Sequence, residues 1–186
     1  MNSMKKLTMN ELGRITPTEF KAIEKMPVIV VLDNIRSMNN VGSIFRTCDA
    51  FLVEKLYLCG ITAKPPHKDI TKTALGATET VEWEYAENVV NLVQQLRKNN
   101  IKVYLIEQTD QSIPLQQFQF PEEKIAIVLG NEVFGVSEDL LSICDGAIEI
   151  PQHGTKHSLN VTIAAGIVLW ETTRKFITPL YPNNGA

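Results

Sequence analysis

The segment that decides the fold runs from Ile150 to Glu171 and reads IPQHGTKHSLNVTIAAGIVLWE. Its first half is a polar loop, and its second half predicts a helix over Leu159 to Trp170, where only Asn160 and Thr162 interrupt apolar and small residues. A surface helix carries a polar face along its whole length, so this pattern predicts a buried helix. Because a helix N-terminus presents unpaired N–H groups and partial positive charge, the loop before it is a candidate ligand site.

Short apolar runs alternate with helical patterns on the N-terminal side of this segment. The run VIVVL at residues 28–32 is apolar throughout, which is typical of strands in parallel sheets that are covered on both faces. The alternation predicts an α/β domain with a mostly parallel sheet and helices on both faces. Asn39 and Asn40 are predicted to cap the first helix of this domain. Further strands are predicted at residues 54–60, 80–85, 101–108, 124–130 and 147–151, and helices at residues 41–51, 71–77, 86–100 and 137–144.

The chain length of 186 residues fits one large domain with a sizeable core. Residues 1–27 are predicted as a short helical lead-in that ends at Pro27, residues 28–178 as the main domain, and residues 179–186 as a tail. No apolar run follows the N-terminal lysines, and no window approaches the length that crosses a bilayer. We therefore expect a soluble cytoplasmic protein with no membrane partner.

Composition limits the classes of function. The shares of hydrophobic residues, 44%, and of charged residues, 21%, are typical of globular proteins. Cys48, Cys59 and Cys144 form no Cys-x-x-Cys pair, so reduced thiols are expected rather than a disulfide framework or a zinc site. His153 and His157 have no cysteine or carboxylate between them, and no metal site is predicted there.

The net charge argues against nucleic-acid binding through the bulk of the surface. The formal charge is -3 and the pI about 5.7, so any phosphate-binding surface must be local. Two short basic clusters offer such a surface, KPPHKDITK at residues 64–72 and HGTKH at residues 153–157. Either cluster is equally well explained as solvated surface.

Polar loops follow four of the predicted strands, after Leu32, Ile106, Leu129 and Ile150. Ligands collect at this end of parallel sheets. The loop GNEVFG at residues 130–135 places a carboxylate between two glycines, a pattern that also occurs in simple tight turns. The chain has no G-x-G-x-x-G, no Walker A sequence and no G-x-S-x-G, which argues against dinucleotide-binding dehydrogenases, P-loop NTPases and the commonest hydrolases.

Three segments, taken together and in this order, resemble one family. NNVGSIFR at residues 39–46, VLGNEVFG at 128–135 and IEIPQHGTKHSLNVTIAAGI at 148–167 are similar to the three motifs of the TrmH (SpoU) branch of the SPOUT methyltransferases. The resemblance covers roughly residues 28–175. It implies an enzyme that transfers a methyl group from S-adenosyl-L-methionine to a ribose 2'-hydroxyl in tRNA or rRNA. LDNIRSMNNVGSIFRTCDAF, TALGA and the EQT that ends at Thr109 look most like tRNA enzymes that act on a D-loop guanosine.

The resemblance also implies an architecture. Residues 28–178 would be the catalytic domain, with its C-terminal part tied in a trefoil knot that holds the cofactor, and the protein would be a homodimer joined through the knotted region. A C-terminal helix that is apolar all round needs a cover on its outer side, which a second subunit would supply. The chemistry requires no metal ion.

The family's catalytic residues match five positions. By resemblance Arg46 activates the hydroxyl, Asn40 orients Arg46 or the ribose, Glu132 holds them, and Ser158 and Asn160 complete the polar floor. Because an arginine stays protonated, we favour stabilisation of the developing alkoxide and of a nearby phosphate over general-base action. The alternatives are a surface ion pair of Arg46 with the carboxylate at i+3, and helix capping by Ser158.

Two further sets of residues are expected to bind the cofactor and the RNA. The main chain at the cofactor positions is expected to hold S-adenosyl-L-methionine, and these positions are Thr109, Gly130, Ile150 and Leu159. The RNA contacts are assigned to the two basic clusters, namely Lys64, Lys68, Lys72, Lys156 and His157. Many relatives carry an additional RNA-binding domain, for which residues 1–27 are too few. RNA contact is then expected from the catalytic domain, its dimer mate or a partner protein.

Two other functions fit the same pattern. The acidic net charge would suit a non-catalytic RNA-binding or assembly protein that retains the fold, although the presence of all five catalytic positions counts against it. A methyltransferase that acts on a base, as in other SPOUT branches, is the second alternative.

Overall fold

The structure is a computed structural model that describes residues 4–8, 11–13 and 15–176. Its described part contains one seven-stranded sheet in the order β3-β2-β1-β6-β4-β7-β5, and every pair of neighbouring strands is parallel. The predicted α/β class and parallel sheet are therefore confirmed. The strands are β1 Met26–Asp33, β2 Val53–Cys59, β3 Trp83–Ala86, β4 Lys102–Ile106, β5 Ile113–Pro114, β6 Ile125–Leu129 and β7 Gly146–Glu149.

Helices cover both faces of this sheet. Along β1, Val28, Val30 and Leu32 face one hydrophobic core, while Ile29 and Val31 face the other. The first core packs against α1, α2, α3, α4 and α6, and the second against α5. Burying each such branched side chain stabilises the fold by about 1.5–3 kcal/mol. The helices are α1 Pro17–Ala22, α2 Met38–Ala50, α3 Lys68–Ala74, α4 Ala77–Thr80, α5 Val89–Lys98 and α6 Val161–Phe176.

The N-terminal lead-in differs from its prediction. Among the described residues of the lead-in only α1 is helical, and the Thr16 side chain caps it in a reciprocal pair with Glu19. Strand β1 begins at Met26, so Pro27 lies inside the strand rather than at the end of the lead-in. Proline is tolerated near the start of a strand, where its missing N–H interrupts the ladder least. Residues 1–3, 9–10, 14 and 177–186, which include the predicted tail at 179–186, lie outside the described residues.

The start of α2 also differs from its prediction. Ser37 is the N-cap, and its side-chain oxygen accepts a hydrogen bond from the Asn40 N–H. The predicted capping by Asn39 and Asn40 is therefore wrong, because both residues lie within the first turn of the helix. This shift leaves the Asn40 side chain available for contacts outside α2.

Three other elements were not predicted correctly. The helix predicted at residues 71–77 is divided into α3 and α4, because Leu75 and Gly76 between them have positive φ. The two-residue strand β5 lies in a stretch that reads as a loop, because it is short and contains a proline. The helix predicted at residues 137–144 is a single 3-10 turn at Glu138–Leu140.

Helix α6 is buried on one side only. Ala165, Val168 and Leu169 are at most 1% exposed, whereas Ile163 and Trp170 on the opposite side are 53% and 57% exposed. The prediction of a fully buried helix is therefore wrong for the single chain. Apolar composition alone does not tell which side of a helix the chain's own core covers.

The sheet order positions the candidate site. Strands β1, β6, β4 and β7 are consecutive neighbours, so the loops that follow Asp33, Leu129, Ile106 and Glu149 meet at one edge. Helix α6 starts in the same region, because residues 150–160 lead from β7 back to α2, on which α6 packs. No helix in the described part of the chain is long and apolar enough to span a membrane.

Candidate active site

A cavity of about 580 Å³ lies at the carboxyl ends of β6, β4 and β7. This volume is within the range of small-molecule sites in proteins. Three of its lining residues, Glu107, Glu132 and Glu149, carry carboxylates, and apolar side chains and glycines supply most of the rest. Its walls are residues 106–108, 129–135, 148–150, 152, 157–161 and 164.

Glu132 joins this cavity to the start of α2. Its carboxylate accepts hydrogen bonds from the main-chain N–H of Arg36 at 2.9 Å and of Ser37 at 3.1 Å, and from the Asn40 side-chain amide at 2.9 Å. Partial burial by itself would raise the pKa of Glu132, but these bonds outweigh it and hold the pKa below its usual value. The carboxylate is therefore ionised at neutral pH and fixes the Asn40 side chain beside the cavity.

Asn160 extends this hydrogen-bond network to the motif at residues 148–167. Its amide donates to the Asn40 side-chain oxygen at 3.5 Å, at the long limit for a hydrogen bond. Its own side-chain oxygen accepts from the Thr162 N–H at 2.8 Å, so Asn160 is the residue that caps α6. Ser158 lies two residues before this cap and lines the cavity. The capping alternative for Ser158 is thus wrong, because Asn160 fills that role.

The loop at residues 130–135 requires its two glycines. A side chain at Gly130 would place its Cβ 2.2 Å from the Gly135 carbonyl carbon. Gly135 itself has a φ of +71°, which L side chains rarely adopt. The Asn131 side chain braces the same loop by accepting hydrogen bonds from Val133 and Phe134 N–H groups. The segment is therefore a tight turn, and this turn also presents Glu132 to the cavity.

Arg46 lies on the outer surface of α2. It is exposed and is not among the cavity's lining residues. From Asn40 it is displaced by about 9 Å along the helix axis and by about two thirds of a turn around it. The alternative ion pair with Asp49 is absent among the described residues, and the Asp49 carboxylate accepts a hydrogen bond from Thr80 instead. Among the residues that the structure describes, the Arg46 guanidinium therefore has no carboxylate partner.

Three of the four predicted cofactor positions line the cavity, namely Gly130, Ile150 and Leu159. Thr109 does not line it; the preceding residues Glu107 and Gln108 do. Sequence reasoning missed these two, although they directly follow a strand end and that position was itself a signal.

The predicted RNA-binding residues lie on α3, on the loop before α3 and on the loop before α6. Lys64 is exposed, with its ammonium 3.9 Å from the centre of the Tyr85 ring. Lys68 and Lys72 are exposed on α3, which packs against α2 beside the active-site network. Lys156 is exposed on the loop before α6, and His157, next to it, lines the cavity.

No group of three or more histidine, cysteine, aspartate or glutamate side chains suited to a metal ion occurs in the described ranges.

The three segments of the site also match a known family. Residues 27–170 match the model of the SpoU rRNA Methylase family. The chain belongs to this family. The match extends over most of the chain, including all of the sheet except Met26 and the part of α6 up to residue 170, so the resemblance of the three motifs is confirmed.

Several RNA methyltransferases are similar to this chain. A tRNA (guanosine(18)-2'-O)-methyltransferase of Aquifex aeolicus is 34% identical over 152 residues, which are 80% of this chain and 69% of that protein. The 23S rRNA (guanosine-2'-O-)-methyltransferase RlmB of Neisseria meningitidis is 30% identical over 82% of this chain. The crystal structure of an AdoMet-bound rRNA methyltransferase from Sinorhizobium meliloti superposes with a TM-score of 0.77 at 26% identity, over 89% of this chain. The chain spans only 60% and 62% of the last two proteins.

Proposed function

We propose that this protein transfers a methyl group from S-adenosyl-L-methionine to a ribose 2'-hydroxyl in RNA. The observation that carries the proposal is the hydrogen-bonded network of Glu132, Asn40 and Asn160 at the mouth of the cavity. It brings one polar residue from each of the three family motifs to one place. Membership of the SpoU family and the 2'-O-methyltransferase names of two relatives support the same reaction.

The cavity suits the proposed cofactor. S-Adenosyl-L-methionine supplies, when bound, an electrophilic methyl group on a positively charged sulfur. Three carboxylates favour such a cation, and the apolar walls favour its adenine ring. The main chain at Gly130, Ile150 and Leu159 would hold it. The relative from Sinorhizobium meliloti, whose structure contains AdoMet, supports this assignment.

The polar residues would position and activate the ribose hydroxyl. Asn40, held by Glu132, and Asn160 offer amide groups for the ribose, and Ser158 adds a hydroxyl to the same wall. Arg46 would stabilise the alkoxide that develops and a neighbouring phosphate, because a guanidinium remains protonated at neutral pH. Alignment of the hydroxyl alone can lower a barrier by about 7–11 kcal/mol in favourable cases.

We also propose a homodimer in which Arg46 serves the cavity of the partner protomer. Ile163, Ile167 and Trp170 follow one side of α6 at helical spacing and are exposed, which is the composition of a subunit interface. Arg46 projects from the outer surface of α2, on which α6 packs. Sedimentation velocity at micromolar concentration tests this assembly, and a mass of one chain would contradict it.

The trefoil knot implied by the resemblance is a further part of the proposal. The chain leaves β7, passes the carboxyl ends of β4 and β6 and reaches α2, where α6 packs. The connection at residues 107–124 starts at the same end of the sheet and runs to the opposite end, where β6 begins, so it can form the loop through which the chain passes. An experimental trace of residues 107–176 tests this, since an α6 that does not pass through a loop would exclude a knot.

The leading substrate is a D-loop guanosine of tRNA, and rRNA is the alternative. The relative from Aquifex aeolicus acts on guanosine 18 of tRNA, and the one from Neisseria meningitidis acts on 23S rRNA. Total tRNA and total rRNA from a strain lacking the gene should be incubated separately with the protein and labelled cofactor. Incorporation into tRNA and not rRNA supports the leading substrate, and incorporation into rRNA alone excludes it.

RNA affinity should depend on the two basic clusters. We expect the double variant Lys68→Ala/Lys156→Ala to bind tRNA more weakly and to lower the slope of log affinity against log salt by about 2, since each lysine neutralises one phosphate. Fluorescence anisotropy at several salt concentrations measures this slope.

A control double variant tests whether the position of the replaced lysines matters, and not only the loss of two positive charges. Lys98 and Lys102 are also exposed, but they lie at the end of α5 and the start of β4, away from the cavity. Lys98→Ala/Lys102→Ala should leave the slope unchanged. Equal slopes for the two double variants would place the RNA surface elsewhere.

A further inference from the structure

Glu107 spans two loops of the cavity. It follows β4, and one oxygen of its carboxylate accepts a hydrogen bond from the Val136 N–H at 3.1 Å. The other oxygen accepts from the Gln108 N–H at 2.9 Å. The carboxylate lies directly against Gly135, where a Cβ would come within 2.2 Å of it. Glu107 thus ties the end of the loop at residues 130–135 to the end of β4.

Gln108 extends this connection to the opposite wall. Its side-chain amide donates to the main-chain oxygen of His157 at 3.1 Å. His157 lies in the loop that leads into α6 and lines the same cavity. The Glu107–Gln108 pair therefore bonds on one side to the loop that presents Gly130 and Glu132, and on the other to the loop that presents Ser158 and Leu159.

We propose that Glu107 and Gln108 are positioning residues that set the spacing of these two loops and so the affinity for the cofactor. The inference rests on the proposed function and adds residues outside the three family motifs. Neither side chain needs to touch the reacting atoms, because each acts through main-chain groups of a cavity loop. Weakening either bond should affect binding more than turnover.

The variants Glu107→Gln and Gln108→Leu test this directly. A glutamine has one acceptor oxygen where the carboxylate uses two, so its amide nitrogen would face an N–H donor. Leucine keeps the size of Gln108 without the donor. We expect each variant to raise the Kd for S-adenosylhomocysteine, measured by isothermal titration calorimetry, about tenfold. The KM for S-adenosyl-L-methionine should rise in parallel, while kcat stays within about threefold.

The control is Glu87→Gln, which changes an exposed carboxylate after β3 and should bind as the wild type does. If the wild type binds S-adenosylhomocysteine and both test variants bind it within about twofold of the wild type, the positioning role is wrong. A fall in kcat at unchanged Kd would contradict it as well. If the wild type itself does not bind S-adenosylhomocysteine, the proposed function fails instead. Should Glu107→Gln not fold, Gln108→Leu alone decides.

Discussion

Replacing Arg46 with alanine is expected to lower kcat for RNA methylation by about 10²- to 10³-fold, the usual effect of removing one group that stabilises a developing oxyanion. The side chain is exposed and does not line the cavity, so the Kd for S-adenosylhomocysteine should not change. Initial rates at saturating RNA and cofactor measure the first quantity, and calorimetry measures the second.

Two further variants make the Arg46 result specific. Arg46→Lys keeps the charge without the planar fork and should recover only part of the rate. Arg97→Ala removes an arginine on α5 that pairs with Asp145 at 3.2 Å and should keep the wild-type rate, because surface ion pairs contribute little. If Arg46→Ala turns over as fast as Arg97→Ala, the proposed role of Arg46 is excluded.

Mixing two inactive variants shows which protomer Arg46 serves. In a dimer of one Arg46→Ala chain and one Gly130→Ala chain, only the Arg46→Ala chain has a cavity with intact walls. The remaining Arg46 belongs to the Gly130→Ala chain, so its guanidinium can reach that cavity only across the interface. After random exchange, about a quarter of the wild-type activity should return, since half of the dimers are mixed and each has one complete site. No recovery in demonstrably mixed dimers would place Arg46 at the cavity of its own chain.

Gly130→Ala is expected to have the second large effect. The new Cβ would lie 2.2 Å from the Gly135 carbonyl carbon and 2.3 Å from the Val136 nitrogen, and both are main-chain atoms. The loop must therefore move, at a cost of about 1–3 kcal/mol in the free energy of unfolding. Because this loop is a wall of the cavity, the displacement should also lower the rate of methyl transfer by about 10²-fold.

Gly154→Ala is the matched control for this substitution. Gly154 lies in the loop before α6, and an added Cβ would have no neighbour within 4 Å. Thermal unfolding should show a lower Tm for Gly130→Ala, by about 2–4 °C for each kcal/mol lost from the free energy of unfolding. The Tm of Gly154→Ala should not change. Equal Tm values and equal rates for the two variants would mean that the close approach of Gly130 to Gly135 has no role.

The apolar runs of the strands were enough to predict the sheet class, because β1 and β6 are apolar along almost their whole length. The order of the strands could not be predicted in this way, because the sequence of one strand does not reveal which strands pair with it. Strand β5 was missed because two residues carry no periodicity. The exposed side of α6 could not be predicted either, because its composition is apolar on both sides.

The sequence predicted those parts of the site in which the contacts are made by side chains of the family motifs. Glu132, Asn40 and Asn160 were expected to converge, and they form one network. The Ser37 cap was missed because serine and asparagine are both good caps and several stand in a row. Glu107 and Gln108 act through main-chain groups of distant loops, and such contacts depend on the strand order rather than on a local pattern.

Identification of the methylated atom decides whether this protein is a ribose 2'-O-methyltransferase. Total tRNA and rRNA should be treated with the wild-type protein and cofactor labelled in the methyl group, and then digested with a nuclease that requires a free 2'-hydroxyl. We expect the label in nuclease-resistant dinucleotides that contain a 2'-O-methyl ribose. Label in single nucleotides with a methylated base would show a base methyltransferase, and no label in any RNA would show a binding protein that retains the fold.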